Sequence, residues 1–166
     1  DVERVRALYP ALRDGRVWLD GAAGTQSPAS VIEAIADAYR TGTSNGGGAF
    51  PSSRAADDAT DAARAAVADL VGAADPTGVV LGPNMTTLTY RFAQAMAREW
   101  QPGDNVVVTE LDHDANVRPW VQWAEASGVE VRWARIDVES GELPAEQFGD
   151  LLDERSFDPL ETSSRL

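Results

Sequence analysis

The sequence predicts an α/β protein built on a mostly parallel sheet with helices packed against it. This prediction depends on three short runs rich in β-branched residues, at 79–81, 106–108 and 129–133. Segments with helical periodicity separate these runs from one another. Strands that alternate with helices are joined by crossover connections, which place neighbouring strands parallel. We therefore expect helices to cover the faces of the sheet.

The sequence predicts mainly helices in the first half of the chain. After an amphipathic start at 2–9 and a short apolar stretch at 17–19, Ser27 and Pro28 indicate a helix start, as cap and first helical residue. A second helix is expected from about Arg54 until Gly72 closes it. The apolar positions of both helices recur at helical spacing.

The second half contains the predicted sheet. A buried strand at 79–81 leads into a helix, the turn at 101–104 leads into a second buried strand at 106–108, and a further helix ends at Gly128. The half-exposed strand at 129–133 follows. The apolar face of the first of these helices consists of Leu88, Phe92, Ala95 and Met96. A last helix is expected from Pro144 to about Glu154, followed by a polar stretch without periodicity.

Composition excludes several classes of function. The 166 residues include 27 acidic and 14 basic side chains, one histidine, no cysteine and no lysine, with a net charge of -13. This length suits one domain. The negative charge argues against nucleic acid or an anionic membrane as the main partner. Without cysteine there is no thiol chemistry, and without lysine no Schiff base forms within these residues.

Targeting and membrane signals are also missing from the sequence. No apolar run approaches the length that spans a bilayer, and the first residues lack the pattern of a signal peptide. We therefore expect a soluble, cytoplasmic protein.

Ligands of open α/β sheets bind beyond the carboxyl ends of the strands, and the segment 82–87 follows the first predicted strand. It reads Gly-Pro-Asn-Met-Thr-Thr and runs directly into a helix. Backbone N–H groups at a helix start, together with the hydroxyls of Thr86 and Thr87, suit a phosphate. The simpler alternative is that one of these threonines only caps the helix.

The segment 109–116 follows the second predicted strand and contains His113 between Asp112 and Asp114. Such a cluster is compatible with a metal site, an acid/base pair, a ring stacked on a flat ligand, or a structural histidine at a strand end. A metal is the least favoured of these, because zinc and iron sites use ligands that are spaced further apart.

A third segment, 19–28, joins a short predicted strand to the first helix and begins Leu-Asp-Gly-Ala-Ala. Small residues let a backbone approach a ligand closely. Taken alone, the segment predicts only a tight turn.

In this order, the three segments resemble class V aminotransferases, in particular the cysteine desulfurase-like proteins. The resemblance runs from about Trp18 to Glu154 and includes Pro119 and Trp120 after the histidine motif. It implies the three-layer, mostly parallel sheet of the fold type I large domain of pyridoxal-phosphate enzymes, present in incomplete form. That partial domain would cover 1–155, with an N-terminal arm, first helix and glycine-rich loop in 1–50, and a polar tail at 156–166.

The resemblance also implies roles for individual residues. Thr86 and Thr87 would hold the phosphate of pyridoxal 5'-phosphate, and His113 would stack on its pyridine ring. Ala22, Ala23 and Asn45 would lie on the substrate side. The loop 45–53 would lie near the active site and the partner subunit. No metal is implied.

Members of the family are considerably longer than this chain. Their Schiff-base lysine, the aspartate that pairs with the pyridine nitrogen and the mobile cysteine of true desulfurases all lie beyond its last residues. The chain would then be a fragment, a frameshifted product or one half of a split enzyme that acts on an amino acid, and it would be inactive alone. The alternatives are a non-catalytic module that binds a phosphate ligand or a protein partner, and a phosphate-binding α/β module unrelated to pyridoxal phosphate.

The implied fold also predicts association. Strands that the family contributes later in its chain would normally cover the edges of the valine-rich strands and the helix face around Phe92. Exposed strand edges and apolar patches promote association, so a homo-oligomer or a complementing chain is expected.

Overall fold

The computed structural model describes residues 1–157, and the chain divides into two compact units between Val80 and Leu81. The first unit is helical, whereas the second contains a parallel sheet with helices packed on it. This second unit confirms the predicted α/β class. Among the helices of residues 1–157, none combines the length and apolar character that crossing a bilayer requires.

Three α-helices form the first unit: α1 (Val2–Arg6), α2 (Ala29–Thr41) and α3 (Pro51–Val71). Gly72 ends α3 as predicted, in the left-handed conformation with φ 71°. However, α3 begins at Pro51 and not near Arg54, because proline suits a first turn in which its missing N–H has no partner to lose. The prediction that Ser27 caps α2 is wrong, since Pro28 takes the cap position.

Two predicted strands do not form. The backbone at 17–19 and 79–81 contributes to no sheet among the residues described, and Val80 and Leu81 are exposed. Both runs have the β-branched or apolar composition of a strand. A strand also needs a neighbour that completes its hydrogen bonds, and residues 1–157 offer none to either run.

The sheet of the second unit consists of β1 (Asn105–Thr109) and β2 (Glu130–Ala134), which pair in parallel. The crossover between them is α5 (Asp114–Ser127), which Gly128 closes with φ 68°. These elements confirm the predicted strands at 106–108 and 129–133 and the helix between them. The register places Asn105 opposite Glu130 and Thr109 opposite Ala134.

The core of the second unit lies between the sheet and two helices, α4 (Met85–Met96) and α5. Its buried members are Trp100, Val106, Ala124 and Val129. Phe92 of α4 meets Trp120 of α5 edge to face, with ring centroids 5.8 Å apart.

The last helix is shorter than predicted. It is α6 (Gln147–Leu151) and not a helix over 144–154, because the backbone becomes extended at Leu152, with φ -91° and ψ 135°. A turn at Asp153 then brings the chain back to β1.

Asn105 fastens this returning segment to β1. Its side chain is fully buried, donates to Asp153 Oδ1 over 2.9 Å, and accepts from Ser156 Oγ over 2.7 Å. Arg132 donates to the other oxygen of Asp153 over 2.7 Å. Ser156 and Phe157 are thus paired with β1, although the sequence predicts that a polar tail starts at 156. The rest of that tail, 158–166, lies outside the described residues.

Candidate functional site

Helix α5 begins just beyond the carboxyl end of β1, and α4 packs beside α5. Ala124 near the end of α5 belongs to the core cluster that contains Val106, and Ala97, just after α4, packs against that cluster. The carboxyl ends of both helices therefore lie near the start of β1. Their amino ends consequently face the opposite end of the sheet, where open α/β proteins bind ligands.

The first turn of α4 presents several free hydrogen-bond donors. Asn84 caps the helix, and its Oδ1 accepts from the Thr87 N–H over 2.9 Å. The alternative that Thr86 or Thr87 serves as the cap is therefore wrong. Within residues 1–157 the N–H groups of Met85 and Thr86 have no hydrogen-bond partner. The Thr86 hydroxyl makes only a long contact of 3.7 Å, to the Met85 sulfur.

Gly82 lets the preceding loop lie directly against this first turn. A Cβ atom at Gly82 would lie 2.6 Å from Cδ2 of Leu88, so a larger residue there would push the Leu88 side chain aside. Glycine at this position therefore leaves room for Leu88 beside the loop.

His113 is the cap of α5 and follows the carboxyl end of β1, as predicted. Its Nδ1 accepts from the Ala115 N–H over 3.1 Å, and its side chain is exposed. Because Nδ1 uses its lone pair in this bond, the neutral ring carries its hydrogen on Nε2. The ring is held at the helix start with its surface open, so it is not a buried core histidine.

Asp112 shapes the turn that leads to His113. Its carboxylate accepts from the Thr109 hydroxyl over 2.6 Å and from the Asn116 amide over 3.2 Å. Asp114 pairs instead with Arg118 at 3.2 Å. Across the part of the chain that the structure describes, no three potential metal-ligating side chains come together. The structural role of Asp112 was missed from sequence, although a threonine three residues before an aspartate is a common turn pattern.

Glu110 links the two strands just beyond their carboxyl ends. Its carboxylate accepts from the Ile136 N–H over 3.2 Å and pairs with Arg135. The hydrogen bond from Arg135 lowers the pKa of Glu110 below its usual value. The pair was not predicted, because sequence alone does not give the register that brings residues 110 and 135 together.

In the first unit, the loop that includes Asn45 is held by two side chains of α3. Ser53 is fully buried, donates to the Asn45 carbonyl over 2.6 Å and accepts from the Gly48 N–H over 2.7 Å. Asp57 accepts from the Gly47 N–H over 2.9 Å. A Cβ at Gly46 would meet the Asp57 carboxylate, so a side chain there would displace this carboxylate from the Gly47 N–H.

Ala22 and Ala23 lie in an exposed turn of the first unit, where the Ala23 N–H bonds to the Asp20 carbonyl over 3.1 Å. The structure thus brings three of the predicted site residues, Thr86, Thr87 and His113, to one end of the second unit. Ala22, Ala23 and Asn45 belong to the first unit.

A parallel sheet with two helix starts and exposed donors beyond its carboxyl end defines a class of α/β proteins that bind ligands at that edge. Comparison with protein families then identifies the group. The family model Aminotransferase class-V matches residues 17–156, and the chain belongs to this family.

Individual relatives agree with this assignment. The chain is 44% identical over 152 residues to the uncharacterized protein MT3887 of Mycobacterium tuberculosis, with 92% of this chain and 38% of the relative covered. It is 40% identical over 162 residues to a cysteine desulfurase of Pectobacterium carotovorum, with 93% and 40% covered. The chain therefore spans about two-fifths of the length of these relatives.

A solved structure also resembles this fold. The crystal structure of the cysteine desulfurase CsdA from Escherichia coli superposes with a TM-score of 0.78 at 29% identity, covering 94% of this chain and 39% of that one. Fold and family are thus those expected from the sequence.

Proposed function

We propose that this chain supplies the phosphate-binding and ring-facing residues of a pyridoxal-phosphate enzyme of the cysteine desulfurase-like type, acting on an amino acid. The observation that supports this most strongly is the set of free donors at the start of α4. Among residues 1–157, this set comprises the N–H groups of Met85 and Thr86 and the Thr87 hydroxyl. The Thr86 hydroxyl lies beside them and makes only a long contact of 3.7 Å to the Met85 sulfur.

These donors fit the phosphate of the cofactor. The positive end of the α4 dipole favours an anion at this point, and Asn84 satisfies the Thr87 N–H without occupying the other donors. Such local geometry matters in a chain with a net charge of -13, which would otherwise repel a phosphate.

His113 fits the aromatic part of the cofactor. Its bond to the Ala115 N–H fixes the ring at the start of α5, and its exposed side chain leaves room for a flat ligand beside it. Aromatic rings attract each other when they stack with an offset. The proposal requires that one ligand contact both helix starts, and the parallel packing of α4 beside α5 supports this.

The cofactor, when bound, provides an electron sink for bonds to the amino-acid carbon. The residues in this chain bind and orient it. The 166 residues contain no lysine and no cysteine, so covalent attachment of the cofactor and a thiol nucleophile must come from other residues. We accordingly assign amino-acid turnover to an assembly of this chain with those residues.

Binding of pyridoxamine 5'-phosphate, measured by calorimetry, tests the proposed phosphate site, because this form of the cofactor has no aldehyde to react with amines. Thr87→Ala should weaken binding by about 1 to 3 kcal/mol, the effect of losing a hydrogen bond to a charged group. Thr89→Ala is the matched control, since its hydroxyl bonds to the Met85 carbonyl within the helix. Equal affinity of Thr87→Ala and the unmodified chain would refute the site.

An activity assay tests whether this chain alone catalyses amino-acid turnover. With added pyridoxal phosphate the purified chain should neither transaminate amino acids nor release sulfur from cysteine faster than the free cofactor does. Turnover well above that background would contradict the proposal, because it would require a nucleophile that the chain lacks.

A further inference from the structure

The turn between β1 and α5 contains His113, and two hydrogen bonds tie this residue to the helix. The Ala115 N–H donates to Nδ1 of the His113 ring over 3.1 Å, and the Asn116 N–H donates to the His113 carbonyl over 2.7 Å. Both bonds lie within the first turn of α5. The place of the ring relative to the sheet therefore depends on how that first turn is attached to β1.

Asp112 makes this attachment with a single carboxylate. One of its oxygens, Oδ2, accepts from the Thr109 hydroxyl over 2.6 Å at the end of β1. The other, Oδ1, accepts from the Asn116 side-chain amide over 3.2 Å in the first turn of α5. The carboxylate thus bridges the strand and the helix on either side of His113.

The bond between Asp112 and Thr109 is reinforced by a second one in the opposite direction. The Asp112 N–H donates to the Thr109 hydroxyl oxygen over 3.0 Å, while that hydroxyl donates to the carboxylate. The two bonds hold both the backbone and the side chain of Asp112 against the end of the strand. That end is anchored in turn, because the Glu110 N–H bonds to the Ala134 carbonyl of β2 over 3.0 Å.

The aspartate on the other side of the histidine, Asp114, makes different contacts. Its carboxylate pairs with Arg118 at 3.2 Å, four residues further along α5, and both of these side chains are more than half exposed. The two aspartates that flank His113 therefore carry the same charge, but the carboxylate of Asp112 is the one that bonds to Thr109. Asp114 is accordingly the matched control for Asp112.

We propose that Asp112 is a positioning residue for the cofactor ring and acts through His113. This rests on the proposed function of the site and adds a residue to it. A histidine attracts a flat aromatic ligand when the two rings lie offset at contact distance. The His113 side chain is exposed, so hydrogen bonds rather than packing hold it, and the bridge from Thr109 to Asn116 fixes the turn that carries it.

Loss of this bridge should affect one part of the site and spare the other. The phosphate donors lie at the start of a different helix, α4, which has its own cap at Asn84. Phosphate binding should therefore persist without the bridge, whereas the contact between His113 and the ring of the ligand should be lost.

Amide hydrogen exchange of the full chain without ligand measures the bridge itself. Asp112→Ala should speed exchange of the Ala115 N–H by at least about tenfold, because the helix start is no longer tied to the strand. Asp114→Ala changes the net charge equally and should speed this exchange by less than about threefold. Equal exchange at Ala115 in the two variants would overturn the proposal.

Titration with pyridoxamine 5'-phosphate, followed by NMR, measures the consequence for the ligand. In Asp112→Ala the Thr86 amide should still shift to saturation, with an affinity lowered by less than about tenfold, the effect of losing one aromatic contact. The shift of the His113 ring at saturation should fall to less than about half of its size in the unmodified chain. In Asp114→Ala both shifts should keep their size.

A role of Asp112 in stability alone predicts a different result. The unfolding temperature would then fall, but the folded variant would show a His113 shift of full size. That result would overturn the positioning role and leave the proposed function intact. Absence of saturable shifts at both Thr86 and His113 in the unmodified chain would instead refute the proposed function, and the positioning role with it.

Thr109→Val tests the other end of the bridge and does not depend on whether Asp112→Ala folds. Valine has nearly the shape of threonine and suits a strand, so the sheet should form. The variant lacks the hydroxyl and should reduce the His113 shift as Asp112→Ala does, whereas Thr109→Ser keeps the hydroxyl and should restore the shift. A His113 shift of full size in Thr109→Val would overturn the proposal.

Discussion

The two units of the chain differ in what their apolar side chains contact. In the second unit, Val106 of the sheet and Ala124 of α5 are buried in one core cluster. In the first unit, Ser53 and Ala68 are the buried residues, although its helices carry equally regular apolar faces. Val31, Ile35 and Tyr39 of α2 remain exposed.

This difference separates two properties that a periodic sequence is often assumed to predict together. Apolar residues at helical spacing predict that a helix forms, and α2 and α3 both form. Burial requires in addition a partner surface, which the sheet supplies in the second unit. We therefore expect substitutions to cost most where the sheet organises the contacts, as the following experiments test.

Asn105→Ala should have the largest effect on stability. The substitution leaves Asp153 and Ser156 without their partner and removes the only buried polar side chain of β1. We expect the free energy of unfolding to fall by about 3 kcal/mol, as when a buried hydrogen-bonding group is lost. Urea denaturation measures this change. Asn45→Ala is the matched control in the first unit and should cost less than about 0.5 kcal/mol, because only its backbone carbonyl holds the loop.

Val106→Ala should have the next largest effect and tests which valine-rich run belongs to the core. Val106 is 7% exposed, whereas Val80 is 73% exposed. Removing two buried carbons and leaving a small cavity should cost about 2 kcal/mol at Val106. Thermal unfolding measures this loss of stability, and Val80→Ala should be nearly neutral in the same measurement. A similar loss at both positions would mean that residues 79–81 are buried after all.

Ser53→Ala tests the loop at 45–48 that Ser53 of α3 holds in the first unit. The loss of both hydrogen bonds should cost about 1 kcal/mol and should speed amide exchange at Gly48. The neighbouring Ser52 is exposed, so Ser52→Ala is the control. If both variants exchange alike, the loop is not held by Ser53.

The smallest expected effect is on how the free energy of unfolding depends on pH in acid. The hydrogen bond from Arg132, helped by the one from Asn105, lowers the pKa of Asp153 from 3.8 to about 2. Because the folded state holds this proton less tightly than the unfolded state, the carboxylate stabilises the fold above pH 3.8, and this contribution disappears as the pH falls towards about 2. Asp153→Asn should flatten the dependence of the unfolding free energy on pH in that window. An unchanged slope would exclude Asp153 as its source.

The sequence predicted the second unit better than the first. The strands at 106–108 and 129–133 are regular runs with a helix of the right length between them, and local pattern determines all three. The run at 79–81 has the same composition, but no neighbour among residues 1–157 completes a ladder, and no local signal reveals this. The end of α6 and the role of Asn105 depend on contacts between residues about fifty positions apart, such as Asn105 with Asp153 and Ser156.

In the candidate site, too, some features follow from local sequence pattern and others only from the three-dimensional structure. The position of His113 follows from the order of strand, loop and helix, which the sequence shows. Thr86 and Thr87 lie in a predicted helix start that does form, although the strand predicted before it at 79–81 does not. The cap at Asn84 was not predicted, because asparagine, proline and threonine in 83–87 are all compatible with a helix start. Only the backbone path shows that Asn84 satisfies the Thr87 N–H and leaves the other donors free.

The central claim is that the two helix starts beyond β1 together hold one phosphate-bearing aromatic ligand. Titration of the isotope-labelled chain with pyridoxamine 5'-phosphate, followed by amide and imidazole NMR shifts, tests it most directly. The account predicts saturable shifts at Met85, Thr86 and Thr87 and, with the same affinity, at the His113 ring. Shifts at Thr86 without a matching change at His113, or no saturable shifts at either position, would contradict it.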